Sequence, residues 1–402
     1  MLTYWVWLAQ LKLPLWRKHQ LLQRFRDPEE LYHTDWDALR EEIDPKIRKE
    51  LEQRDLSAAR GIVEACQDKN ISILPFDGAT YPERLRNIED APLVLYCRGI
   101  LPDWESGPAI GIVGTRKASS YGLQTAMRFG KQIAACGGIV VSGGAFGIDT
   151  VAMGGAIHEG KYTVGVLGSG VDVVYPKSNT AFFETVVENG CLISEYPPGT
   201  PAYAHNFPQR NRIISGLCSG ILVVEAPARS GALITAERAR EQGRDVFVVP
   251  GNVGTDACAG SNDLLRQGAA PALTGWDVVR EYQWLYPQVE NRQESAEFSR
   301  EEQQLLVAQN PKIPTNEKKE KHVVPKKSID NGEKSAYSVP IRPSQLTAEE
   351  QAAAALLTEN VQSMDDVIAR MDMPAGKALS LLTKLTLKGV ARSHPGKGIS
   401  LK

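Results

Sequence analysis

Between residue 107 and about residue 285 one pattern returns six times: a short apolar, β-branched run, a loop carrying glycine, then a helical stretch. The runs and their loops are AIGIVG, GIVVSGG, YTVGVLGSG, GCLISEYPPG, GILVVEA and RDVFVVPG. Strands buried on both faces need nearly continuous apolar sequence, and parallel strands need long connections, usually helices. The repeat therefore predicts an α/β fold built on a doubly wound parallel sheet.

At 402 residues the chain is too long for one ordinary core, so further domains should flank the sheet. Residues 1–70 alternate helical patterns with polar breaks (PLWRKHQLLQRF, TDWDALREEI, PKIRKELEQRDL) and predict a small helical domain. The opening MLTYWVWLAQLKLPLWRKHQ is apolar and aromatic, but it lacks a basic start and a small-residue cleavage site, and Lys12 interrupts it. It reads as a packed helix. ISILPFDGATYPERLRNI and PLVLYCRG predict short strands and turns leading into the sheet unit, which spans 71–285. Residues 286–345 lose periodicity, and PTNEKKEKHVVPKKSIDNGEKS predicts a flexible linker. Residues 346–402 resume with two or three short helices and a hairpin, VARSHPGKGISLK, a winged-helix-like arrangement.

In an open α/β sheet ligands bind beyond the carboxyl ends of the strands. The loops there are Gly114-Thr115-Arg116, then Ser142 to Asp149, then Gly168-Ser169-Gly170 with Tyr175-Pro176-Lys177 behind. Gly114, Gly143 and Gly144 permit close backbone approach beside helix starts, the geometry that binds phosphates, and Arg116 and Lys177 add cations. One such loop is more often a tight turn, but three converging loops point to a site. Asp149 reads as a helix cap rather than a catalytic acid. In FPQRNRIISGL, Phe207, Arg210, Ile214 and Leu217 share one helical stripe, with Pro208 suited to the first helical position. Arg210 then sits in the first turn, where an anion is favoured, unless it is the buried partner of a carboxylate. Arg210 and Arg212 diverge by roughly 200° on an ideal helix, so one should brace a loop and the other face a ligand. Glu195 and Glu225 are the candidate braces. Phe207 is either a stacking platform or a hydrophobic staple, and Asn211 reads as a loop organiser.

Composition narrows the partners. A formal net charge of −2 gives no global pull on a polyanion, so such a partner must be held by a local patch. No apolar run is long enough to span a bilayer, and membrane contact is not expected. Cys66, Cys97, Cys136, Cys191, Cys218 and Cys258 form no CxxC pair, and the histidines show no ligand spacing. Neither a metal, a cofactor nor a disulfide framework is expected, and a reducing cytoplasm fits.

GIVGTR, SGGAFGID, SEYPPGTP, FPQRNRIISGL, VVEAPARSGALITA and GRDVFVVPGN, in this order, closely resemble the DNA-processing protein A family, also called Smf. The resemblance covers about 107–275 and implies an extended Rossmann-like domain, with a SAM-like helical domain before it and a winged-helix-like domain after. It also implies a dimeric protein, not an enzyme, that binds and protects incoming single-stranded DNA and loads the RecA recombinase on it during natural transformation. The family's DNA pocket maps onto Gly114, Arg116, Lys177, Phe207, Arg210, Asn211 and Arg212. Its contacts for self-association and for recombinase fall around 255–275, where no residue can be transferred.

Two alternatives stay open. RSGALITAE, ending in Glu237, loosely resembles the PGGxGTxxE stretch of nucleotide-hydrolysing phosphoribohydrolases, but the central glycine is missing and Glu237 is one position early. No Walker motif, GxSxG elbow or His-partnered nucleophile accompanies it. In the C-terminal module, Lys377, Lys384, Lys388 and Lys397 make a basic face that suits duplex DNA or simply solvates a protein-contact domain.

Overall fold

The computed structural model describes residues 1–36, 44–292, 298–310 and 346–401, apart from 359, 361, 372, 389 and 395–397. It divides into two compact units, Met1–Lys318 and Lys319–Lys402. The first opens with α1 (Leu2–Gln10), α2 (Leu15–Arg24), α3 (Pro28–His33), α4 (Pro45–Leu51) and α5 (Ser57–Asp68). The opening apolar stretch is thus two helices, because Pro14 starts the second as its N-cap. Residues 37–43, most of the TDWDALREEI pattern, lie outside the described residues.

β1 (Ser72–Pro75), α6 (Glu83–Arg86) and β2 (Val94–Gly99) lead into the repeat: β3 (Ala109–Val113), α7 (Ser120–Ala135), β4 (Ile139–Ser142), α8 (Ile148–His158), β5 (Thr163–Val166), α9 (Thr180–Glu188), β6 (Gly190–Ser194), α10 (Asn206–Leu217), β7 (Gly220–Val223), α11 (Gly231–Glu241) and β8 (Asp245–Val248). α12 (Ala259–Arg266), β9 (Ala270–Pro271) and α13 (Gly275–Val279) complete it. All six strands expected from the repeat form. The sheet order is β1-β2-β6-β5-β4-β3-β7-β8-β9, parallel from β6 to β9, with β2 antiparallel to both β6 and β1. From β3 the chain winds outward through β4, β5 and β6, then returns to start β7 on the other side of β3. That reversal is a topological switch point, where a crevice opens between neighbouring loops.

Both faces of the sheet are covered. Ile213, Ile214 and Leu217 of α10 pack with Ala232, Ala236 and Ala239 of α11 on one face, and Leu123, Met127, Val151 and Ala152 of α7 and α8 on the other. Trp5, Val6 and Leu8 of α1 share a cluster with Tyr96, Met153, Phe183 and Leu192, so the N-terminal helices continue the sheet's core instead of closing a separate one.

The flexible linker expected from 286 begins too early. Tyr286 and Val289 are buried against the α7 side, and α14 (Arg300–Gln309) packs on α7 and α8 with Leu306 buried. A capping box starts α14: Ser299 accepts from the Glu302 N–H, and Glu302 accepts from the Ser299 N–H. Lys131 of α7, itself buried, meets the Glu302 carboxylate at 2.8 Å. Residues 311–345 lie outside the described residues.

The second unit carries α15 (Ala348–Ala355), β10 (Gln362–Ser363), α16 (Met364–Ala369), α17 (Ala375–Leu387), β11 (Ala391–His394) and β12 (Gly398–Leu401). β12 pairs with both β10 and β11, the three-helix-plus-hairpin pattern expected of a winged helix. Its small core includes Val367, Leu382, Leu385 and Ile399.

Candidate nucleic-acid interface

A cavity of about 550 Å³ opens at the switch point, beyond the carboxyl ends of β3 and β7. Of the residues expected there, Gly114, Arg116, Phe207, Arg210 and Asn211 line it; Gly143, Gly144, Lys177 and Arg212 do not.

The loop after β3 is pinned from beneath. Glu225, at the end of β7, accepts from the Ser119 N–H and hydroxyl, both at 2.7 Å, and its carbonyl accepts from the Thr115 N–H at 2.8 Å. Ser119 in turn caps α7 through the Gly122 N–H. Glu225 therefore braces this loop, not an arginine. A β-carbon on Gly114 would stand 2.5 Å from Ile148 Cγ1, so the close packing of this loop on α8 requires glycine. Arg116 and Lys117 stand exposed at the loop's tip.

The loop after β4 is held by buried polar groups. Asp149, in the first turn of α8, accepts from the Gly143 N–H at 3.1 Å. Thr150 donates to the Ala145 carbonyl at 2.7 Å, and Asn179 donates to the Thr150 hydroxyl at 2.8 Å. Gly144 has a φ of 62°, the left-handed region, beneath which the Phe183 ring packs. The Gly147 N–H donates to Gln309 Oε1 at 2.8 Å, and Asn310 donates to the Ala118 carbonyl at 3.3 Å, so the end of α14 ties down two of the site loops.

α10 begins at Asn206, with His205 as N-cap, so Pro208 is the third helical residue and not the first. No intrahelical bond is lost, because the first four N–H groups of a helix have no partner within it. The shift places Arg210 beyond the first turn. It is 3% exposed, and its Nη1 donates to the Gly143 carbonyl at 2.7 Å and to the Val166 carbonyl. Burial pushes its pKa down to about 10, against the opposing charge of Asp149. Burial likewise raises the Asp149 carboxyl, with Arg210 as the largest opposing influence. Arg210 thus ties the ends of β4 and β5 together through Nη1, while its buried Nε has no acceptor.

Arg212 turns the other way. Its Nη2 pairs with Glu195 and its Nε with Asp90 at 3.3 Å, the carboxylate brace expected of one of the two arginines. Asn211 donates to the Gly231 carbonyl at 3.4 Å, linking α10 to the first residue of α11. Phe207 is half-buried between cations: the Arg116 guanidinium carbon lies 5.2 Å from its ring centre and that of Arg210 6.0 Å. Tyr175 lies 5.5 Å away and is itself a cavity residue. Lys177 starts a short 3₁₀ turn and is exposed outside the cavity.

Arg229, which the sequence reading passed over, sits exposed on the cavity rim beside Ser230, the N-cap of α11. Lys117 was passed over too. The signal was available in VVEAPARSGALITA: an arginine just before a capped helix at a strand's carboxyl end. Among the described residues, Arg116, Lys117, Lys177 and Arg229 have no carboxylate within ion-pair distance. The rim thus offers unpaired cations around an aromatic floor. Glu237 faces a separate recess, with Arg240 and Asp263.

The family model described as DNA recombination-mediator protein A matches residues 72–283, and the DprA winged helix domain matches 340–397. The chain belongs to the DNA recombination-mediator protein A family. It is 37% identical over 235 residues to the DNA processing protein DprA of Bacillus subtilis, covering 58% of this chain and 79% of that protein. With protein Smf of Synechocystis it shares 31% identity over 353 residues, covering 87% of this chain and 85% of that one. The X-ray structure of DNA processing protein A from Streptococcus pneumoniae superposes with a TM-score of 0.61 at 31% identity, over 70% of this chain and 98% of that one.

In the second unit, Lys377 and Lys388 of the expected basic face are already paired, with Glu349 and Glu350 of α15, each at 2.7 Å. Lys384 is exposed, and Lys397 lies outside the described residues. Among the described residues no helix is long and apolar enough to cross a membrane. The six cysteines are all buried and unbridged.

Proposed function

We propose that the cavity binds single-stranded DNA without choice of sequence, that the chain protects incoming strands in the cytoplasm, and that as a homodimer it loads the RecA recombinase on them. The observation that carries the binding role is the unpaired set Arg116, Lys117 and Arg229 around Phe207 and Tyr175 at the switch point. Cations that track phosphates, together with rings on which bases stack, are the two parts such binding needs. Lys177 extends the cationic track beyond the cavity, while Gly143, Gly144, Arg210 and Arg212 hold its loops. Membership of a recombination-mediator family and likeness to relatives named for DNA processing support the same reading.

Binding, and not catalysis, is the role this site favours. Asp149 lines the cavity, but it is buried, accepts from the Gly143 N–H and faces the Arg210 charge, and Glu237, the carboxylate a phosphoribohydrolase-like reading needs, lies outside the cavity. In the second unit, the pairing of Lys377 and Lys388 within the fold favours a protein contact over duplex DNA. The test is RecA filament growth on a single strand, followed with and without the full chain. Faster nucleation with wild type, lost in Arg116→Ala, supports the proposal. Equal nucleation in all three samples, or release of free base from nucleoside monophosphates, contradicts it.

A further inference from the structure

A second recess, of about 270 Å³, lies at the other end of the sheet, where β3 and β8 begin. Arg84, Trp104, Leu217, Arg244 and Tyr286 are among its walls. Arg84 Nη2 donates to the Tyr286 hydroxyl at 3.3 Å, and Arg244 Nη2 donates to the carbonyls of Arg84 at 3.0 Å and Gly216 at 3.4 Å. None of these acceptors carries a formal charge. Among the described residues neither guanidinium has a carboxylate within ion-pair distance. The acids in the lining are Glu83, which pairs with Arg86, and Glu105, while the neighbouring Asp245 accepts from the Tyr282 hydroxyl at 2.8 Å. Two buried donors in the walls, Arg244 Nε and Trp104 Nε1, have no acceptor.

Two like charges beside unsatisfied buried donors are costly unless an anion completes them. We propose that this recess is a second site, for the phosphate monoester of a nucleotide or of a DNA strand's 5′ end. A monoester carries about −1.5 to −2 charges at neutral pH and three strong acceptor oxygens, which matches two guanidiniums and an indole N–H. A carboxylate supplies one charge and two oxygens. The volume suits a phosphate with its sugar, and Leu217 and Leu285 provide apolar wall for the remainder. Because the recess is at the amino ends of the strands, it stands or falls independently of the cavity at their carboxyl ends.

The experiment titrates the full chain with deoxyadenosine 5′-monophosphate by calorimetry, in an Arg116→Ala/Arg229→Ala background that weakens the other cavity. Binding should persist in that background and be absent for deoxyadenosine. Arg84→Gln and Trp104→Phe, the second keeping an aromatic ring against the core but losing the indole N–H with the pyrrole half of the bicycle, should each weaken it by about tenfold or more in proteins that still melt cooperatively. Tighter retention of a 5′-phosphorylated oligonucleotide than of its 5′-hydroxyl twin identifies the strand end as the source; a preference for the mononucleotide identifies a free nucleotide, and either supports the site. Unchanged affinity in folded Arg84→Gln and Trp104→Phe overturns it, as does an oligoglutamate peptide that outcompetes the mononucleotide there.

Discussion

Replacing Arg210 with alanine separates a buried strut from a phosphate ligand. The guanidinium satisfies the Gly143 and Val166 carbonyls and provides the largest opposing charge to the buried Asp149 carboxyl. Removing one member of such a buried charged set costs about 3–5 kcal/mol. At roughly 2–4 °C per kcal/mol for a large domain, melting should fall by around 10 °C. The loss should depend on pH. Asp149 already has a raised pKa in the folded chain, and losing Arg210 raises it further, so the folded state keeps a proton that the unfolded state has released. Stability then falls as pH rises from the unfolded carboxylate range through the folded pKa, and the Arg210→Ala deficit shrinks on acidification. Asp149→Asn added to Arg210→Ala should recover part of the loss, read by calorimetric melting of all four proteins as a double-mutant cycle. Wild-type melting in Arg210→Ala, together with a lower salt dependence of DNA binding, refutes the strut and restores Arg210 as a phosphate contact.

Two further outcomes follow from the packing. A chain ended at Arg292 loses α14, and with it Leu306 burial worth about 1.5–3 kcal/mol and the Gln309 bond to Gly147, about 1 kcal/mol, so it should melt well below a chain ended at Asn310; equal melting would place α14 outside the cooperative unit. In the second unit, Lys377→Glu and Lys388→Glu set like charges against Glu349 and Glu350 and should loosen α15 from α17, whereas Lys384→Glu should leave the fold intact. Circular dichroism melting separates these outcomes, and loss of duplex DNA retention in Lys384→Glu alone would reinstate DNA as this module's partner.

The parallel sheet was legible because strands buried on both faces leave uninterrupted apolar runs, and the candidate cavity opens among the loops expected at their carboxyl ends. The role of Arg210 was not. Its acceptors come from residues 67 and 44 positions away, and nothing in FPQRNRIISGL indicates that two distant carbonyls occupy its Nη1. Arg229 was missed for the opposite reason: an exposed arginine in a loop acquires meaning only once folding sets it across the cavity from Arg116. α14 was hidden in polar sequence, although Ser299 and Glu302 spell a capping box and Leu305 and Leu306 supply the apolar face. Short helices that dock on a finished sheet need few apolar residues, and periodicity averaged over a window loses them.

The most direct test of the central claim is the salt dependence of single-strand binding by the full chain and by Arg116→Ala/Arg229→Ala. Each phosphate contact on a single strand contributes about 0.7 to the slope of log affinity against log salt concentration, so the double variant should lower it by about 1.4. Melting should be unchanged, because both side chains are exposed and neither has a carboxylate within ion-pair distance among the described residues. An unchanged slope in a protein that melts like wild type would mean that the strand is not held at this cavity.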